Sequence, residues 1–297
     1  MAKDKDKDKV LDYLLKKQLP TLPTIFTEFS KLVSNPFVSN KKVSDLIMKD
    51  QAMVVKILRL CNSAMYGKRQ EIKNLTNAIT YLGLETLKNI ILQIALVRMF
   101  RFEHNKIPDF NPAAFWQHSI STAYFSNIME KTLKLRHNEN FYIGGLLHDI
   151  GKVLVYQFYP GKFEEIVLMQ IEDEVHDYQA ETEILGVDHA EIGGILAEKW
   201  NFDKEIIDAI QYHHSLLKSR SSLVTAVVNI SNLFSKKAGL CFPWDEKSFD
   251  IKTSGGWQML MEESKMHIDV DHTILVLTEE NEAVKEAVKE LLAPVKT

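Results

Sequence analysis

Ten histidines lie in the 297 residues, and one of them, His148, is followed directly by an aspartate in the stretch GGLLHDIGK. His118, His189, His213 and His214 fall at or near helix positions in the same block as His148, between about residues 112 and 239. Neutral imidazole and carboxylate are the donors that Fe, Mn, Ni and Zn sites use. A bundle of helices can bring such donors together from distant positions. A two-metal site of that kind activates water and clamps a phosphate ester. Lys152, three residues after Asp149, is a candidate contact for an anion. Each feature also has a plainer reading. A buried histidine can satisfy backbone carbonyls or cap a helix end, and Lys152 can be a solvated lysine at a helix start.

The elements that would position these residues are helical. Apolar residues recur three and four apart in segment after segment, and two-residue alternation is scarce, so the chain reads as all-α. In the first part, Asp50 is placed to cap a helix carrying Val54, Ile57, Leu58 and Cys61 on one face. Gly83 is expected to end a short helix opening at Thr76, ahead of a longer one that is apolar nearly all round. The polar stretch EHNKIPDFNP suggests a boundary, with Asn111 as N-cap and Pro112 as the first residue of a long helix. Further helices are expected to end at His148-Asp149, to run from about Val175 to Leu185, to be capped by Asp188, and to span Asp203 to His214. The resulting division is a disordered tail at 1–9, a helical subdomain at 10–106, a second at 107–240 and a C-terminal helical extension at 241–297. The tail assignment rests on the Lys-Asp alternation of residues 3–9, which has nothing apolar to bury.

Composition narrows the function classes. With 36 basic and 40 acidic residues the chain has no global field to draw it onto nucleic acid or an anionic membrane. Cys61 and Cys241 have no CxxC spacing and read as free thiols. No apolar run is long enough to span a bilayer. A cytoplasmic protein is expected, with neither nucleic acid nor membrane as partner.

The order FWQHS, GGLLHDIGK, LGVDHAEIGGILAEKW, AIQYHH, NISNLF resembles the HD superfamily, which includes metal-dependent phosphohydrolases. That resemblance implies metal ligands at His118, His148 and Asp149. It places Asn232 where the superfamily has a late aspartate, exchanging a charged ligand for a neutral amide. On that count Asp149 is the sole anionic ligand, and a tightly held dinuclear centre is not expected. The GYP element of the cyclic-di-GMP hydrolases is missing after His213-His214. In the first part, LPTLP, VSDLIMKDQAMVVKILRLCNSAMYG and LTNAITYLGLETLKNIIL are similar to the HD-related output domain, HDOD. This resemblance implies a bacterial regulator without required cofactor or turnover, which binds a signalling protein partner or a small ligand, as in motility or chemotaxis control. The alternative it leaves open is a metal-dependent phosphohydrolase of nucleotides or cyclic dinucleotides. A metal that only pins the helices together is a third reading.

Overall fold

The computed structural model describes residues 2–67, 71–100, 111–136, 138–219, 222–242, 245 and 250–295, and among them there are helices and no strand. They form two compact units: residues 1–21 with 104–277, and residues 22–103 with 278–297. No helix among the described residues is long and apolar enough to cross a membrane.

The first unit holds α1 (Ala2–Lys16), α6 (Pro112–Thr132), α7 (Asn140–Leu147), α8 (Ile150–Phe158), α9 (Pro160–Glu172), α10 (Asp177–Leu185), α11 (His189–Lys199), α12 (Lys204–Tyr212), α13 (Ser222–Lys237) and α14 (Gly255–Ser264). Helix α6 starts where the sequence predicts, with the Asn111 side chain accepting the Ala113 N–H at 2.9 Å and Pro112 in the first turn. It is buried on nearly all sides and packs against α7 and α13. Helix α11 is capped by Asp188, which accepts from the Glu191 N–H at 2.9 Å. It packs on α8 and α12. The approach of α8 to α11 depends on Gly151, where a Cβ would sit 1.9 Å from the His189 carbonyl oxygen. Gly145 does the same for α7 on α6, with Ala123 Cα at 2.9 Å from its missing Cβ. These contacts bring the ends of α7 and α8 against the start of α11.

The second unit holds α2 (Thr24–Val33), α3 (Asn40–Ile47), α4 (Gln51–Cys61) and α5 (Leu75–Met99), with α2, α3 and α4 packed on α5. Asp50 caps α4 through the Met53 N–H at 2.9 Å. Gly83 breaks α5 with φ 77° and ψ 164°, a conformation essentially confined to glycine, as its position in the sequence suggests. Helix α15 (Val270–Leu292) begins in the first unit and ends in the second. It opens nine residues before the start near Glu279 that the sequence suggests.

One expectation differs from the structure. Residues 3–9 are helical, as part of α1, and not a disordered tail. Lys7 pairs with Glu191 at 2.6 Å, and Tyr13 meets the Tyr159 ring at 5.2 Å. The Trp200 indole N–H donates to the Pro20 carbonyl at 2.8 Å. The segment 241–297, expected as a helical extension, carries α14 and α15 among its described residues. Its helix α14 packs on α13, Trp257 and Leu260 are buried, and the Trp257 indole N–H donates to the Ile251 carbonyl at 2.9 Å. The boundary expected at 106–107 lies outside the described residues.

Candidate metal centre

The turn between α7 and α8 consists of His148 and Asp149, both buried. Around Asp149 the fold gathers His118 from α6, His189 from the first turn of α11, and His213 and His214 from the end of α12. Two sets of donor atoms result. One is His118, His148 and Asp149, the other Asp149, His189, His213 and His214, and Asp149 belongs to both.

The hydrogen bonds of each ring fix which nitrogen faces the centre. The Nδ1–H groups of His118, His148 and His213 donate to the carbonyls of Leu240 (2.9 Å), Gly145 (2.8 Å) and Ile210 (2.8 Å). His189 Nδ1–H donates to Glu181 Oε2 at 2.6 Å, and the same oxygen accepts the His189 backbone N–H at 2.7 Å. This leaves the Nε2 atoms pointing inward. His118 and His148 Nε2 are 3.2 Å apart, His189 and His214 3.2 Å, His189 and His213 3.4 Å. Asp149 Oδ1 lies 3.0, 3.5 and 3.7 Å from Nε2 of His189, His148 and His213.

Lone pairs facing one another at such distances in a buried site repel unless a proton or a cation lies between them. Imidazoles whose outer N–H is tied to a carbonyl or carboxylate are the usual arrangement of metal ligands. The donor set, one carboxylate with imidazoles, therefore fits a divalent ion of the Fe, Mn, Ni or Zn class.

The electrostatics agree with a site of concentrated charge. Burial pushes His118 down to about 4, against the pull of Asp149, and His148 and His213 down to about 3. Burial also opposes charge on His189, but Glu181 and Asp149 outweigh it and raise this ring to about 10. Asp149 and Asp177 are held well below the usual carboxylate range despite burial, Asp149 by His148 and Lys152, Asp177 by Lys152 and Lys236.

Lys152 is neither solvated nor open to an outside anion. Its side chain is buried, and Nζ donates to Asp149 Oδ2 at 2.8 Å and to Asp177 Oδ2 at 2.6 Å. Nor is Asp149 the only buried carboxylate at the centre. Asp177 and Glu181, both on α10, stand beside it, with Asp177 Oδ1 3.9 Å from His214 Nε2. Asn232 lines a cavity that His214 also lines, and its buried Oδ1 accepts no hydrogen bond.

The sequence alone pointed to neither Asp177 nor Glu181, since nothing in their spacing ties α10 to the doublet. Lys236 was also missed, although it follows Asn232 by four residues on one face of α13 and had a readable signal.

Several solved structures are similar to this one and share its helical fold. An HDOD domain protein with unknown function from Geobacter sulfurreducens superposes with a TM-score of 0.85 at 25% identity, covering 99% of both chains. A proposed phosphohydrolase from Shewanella amazonensis gives 0.71 at 25% identity, covering 92% of this chain and 95% of that one. A proposed signal transduction protein from Marinobacter aquaeolei gives 0.75 at 17% identity, covering 99% of this chain and 67% of that one. An uncharacterized protein of Treponema pallidum is 29% identical over 199 residues, 67% of this chain and 38% of that relative, so the match spans well under half of the relative's length. The HDOD domain matches residues 19–216, more than half of the sequence, and on that match the chain belongs to the HDOD domain family.

Proposed function

We propose that this protein is a cytoplasmic signal-transduction regulator, with a metal-holding cluster that braces its first unit and with no turnover of phosphate esters. The observation that carries this reading is Lys152. Lys152, the lysine of the HDIGK stretch that would receive a substrate anion, is buried and already bound by two carboxylates of its own chain. Asn232 supports it further, since a neutral amide stands where the HD hydrolases have an aspartate.

A divalent ion held here supplies Lewis acidity when bound. The protein's own groups hold the donors in place. Glu181 fixes the tautomer and angle of His189, and the carbonyls of Gly145, Ile210 and Leu240 do so for His148, His213 and His118. Lys152 balances Asp149 against Asp177. The partner is a signalling protein that reads the state of the folded domain.

Metal analysis of the purified chain, paired with phosphate release from a generic ester and from cyclic nucleotides, tests the reading. Bound Fe, Mn, Ni or Zn that disappears in His148→Ala, with no phosphate released by either protein, is the expected result. Phosphate release by the parent that His148→Ala abolishes would establish the hydrolase reading instead. That second reading has one observation in its favour, the cavity beside His214.

A further inference from the structure

We propose that Asn229 on α13 is a positioning residue for the adjacent metal-facing pair His213 and His214, and that Ser254, the N-cap of α14, sets Asn229 in turn. The inference rests on the metal-holding reading of the cluster and names the residues that give two of its donors their direction. Asn229, Ser254 and Gly256 all lie beyond residues 19–216, the part of the chain that the HDOD domain matches.

Successive residues of a helix point about 100° apart, so two neighbours do not ordinarily face one ion. His213 and His214 follow α12 directly, and yet their Nε2 atoms converge, lying 3.4 and 3.2 Å from Nε2 of His189. Their ring centroids stand 4.0 Å apart. The peptide that joins the two residues must therefore hold one setting. Its oxygen is the His213 carbonyl, at the end of α12, where carbonyls have no partner within the helix. The Asn229 amide N–H donates to that oxygen at 2.8 Å. The hold matters most for His214. The other four rings are each tied through Nδ1–H to a carbonyl or to Glu181, whereas His214 takes its place from this peptide and from stacking on Tyr178.

Asn229 can do this with its amide only one way round. A carbonyl oxygen accepts and never donates, so the NH2 group faces His213 and Oδ1 is left for a different partner. That partner is the Ser254 hydroxyl, which donates to Oδ1 at 2.8 Å while its own oxygen accepts the Gly256 N–H at 3.1 Å. The start of α14 can come this close because residue 256 is glycine, where a Cβ would stand 2.6 Å from Asn229 Oδ1. A continuous chain of hydrogen bonds thus runs from α14 through α13 to the metal-facing end of α12.

Cobalt(II), a spectroscopically visible ion of the same class, provides the test on the full chain, through its visible absorption and through competition with a chelator. Imidazole proton–nitrogen NMR spectra of the ion-free protein provide a second readout. Asn229→Ala should weaken cobalt binding at least about tenfold and alter the absorption bands. Ser254→Ala should act in the same direction, and Ser254→Thr, which keeps the hydroxyl, should resemble the parent. In the ion-free protein Asn229→Ala should move the ring signals of His213 and His214 further than those of His118. The proposal is overturned if Asn229→Ala only lowers the melting temperature, with cobalt affinity, absorption and ring signals unchanged, or if Ser254→Ala leaves the cobalt spectrum as in the parent. A parent chain that takes up no cobalt would remove the metal-holding reading itself, and the ring signals of the ion-free protein would then decide the role of Asn229 alone.

Discussion

Two of the buried lysines, one taken from each unit, have opposite fates. Lys152 in the first unit is 6% exposed, and Lys56 in the second is 8% exposed. Burial disfavours the ammonium in both. Around Lys152 stand Asp149 and Asp177, and they hold its pKa well above the ordinary lysine value. Among the described residues Lys56 has no carboxylate partner. It donates to the carbonyls of Leu291 and Ala293 at the end of α15, and Arg98 and Arg59 repel it, so that its pKa falls to about 8. Burial alone therefore does not decide the charge of a lysine in this fold. The counter-charges do, and around Lys152 they come from Asp149 and Asp177 beside the candidate metal centre.

The largest effect expected from this contrast comes from Lys152→Met. It leaves Asp149 and Asp177 without their shared cation, and breaking a buried pair in this way costs about 3–5 kcal/mol. Lys56→Met at neutral pH should stay within about 1 kcal/mol of the parent, because it removes a poorly tolerated charge along with its hydrogen bonds. Urea unfolding of both variants measures the gap, and equal losses would break the comparison.

A smaller effect lies in pH. Lys56 titrates at about 8 in the folded protein and near 10.5 when unfolded. Between those values the unfolded chain holds the extra proton, so the contribution of this lysine to stability rises with pH. The parent should gain on Lys56→Met between pH 8 and 10.5, by at most about 3 kcal/mol. Subtracting the two proteins removes the other titrating groups, and a flat difference would show that Lys56 is not perturbed.

Smaller again is Gly151→Ala, where the added methyl meets the His189 carbonyl oxygen and forces α8 from α11. Overpacking of this kind costs about 1–3 kcal/mol, to be read from thermal melts. Loss of bound metal should accompany it, since the same backbone contact sets the distance from Asp149 to His189.

Much of this arrangement was legible in the sequence, for reasons that particular residues show. The helices around the site announce themselves through caps that act locally: Asn111, Asp188 and Asp50 each bond within three residues of their own position. The histidines were visible through the order of motifs that resembles the HD superfamily, since their spacing alone left a buried structural histidine as the plainer reading. Glu181 and Asp177 were not visible, because a carboxylate on an ordinary amphipathic helix looks the same whether it faces solvent or an imidazole. Helix α1 misled for a related reason. Its Lys-Asp alternation has the composition of a solvated tail, and only Tyr13 and Leu14 further along provide the packing that anchors it.

The contact between Gly151 and the backbone of His189 has one more consequence. Because packing between α8 and α11 sets the spacing of Asp149 and His189, the backbone of the site is held by the fold itself, and an ion exchanging at the centre has only side chains to move. Loading and stripping the centre should then leave the helical circular dichroism unchanged, and the event should register only in the near-ultraviolet signal of Tyr178 lying against His214.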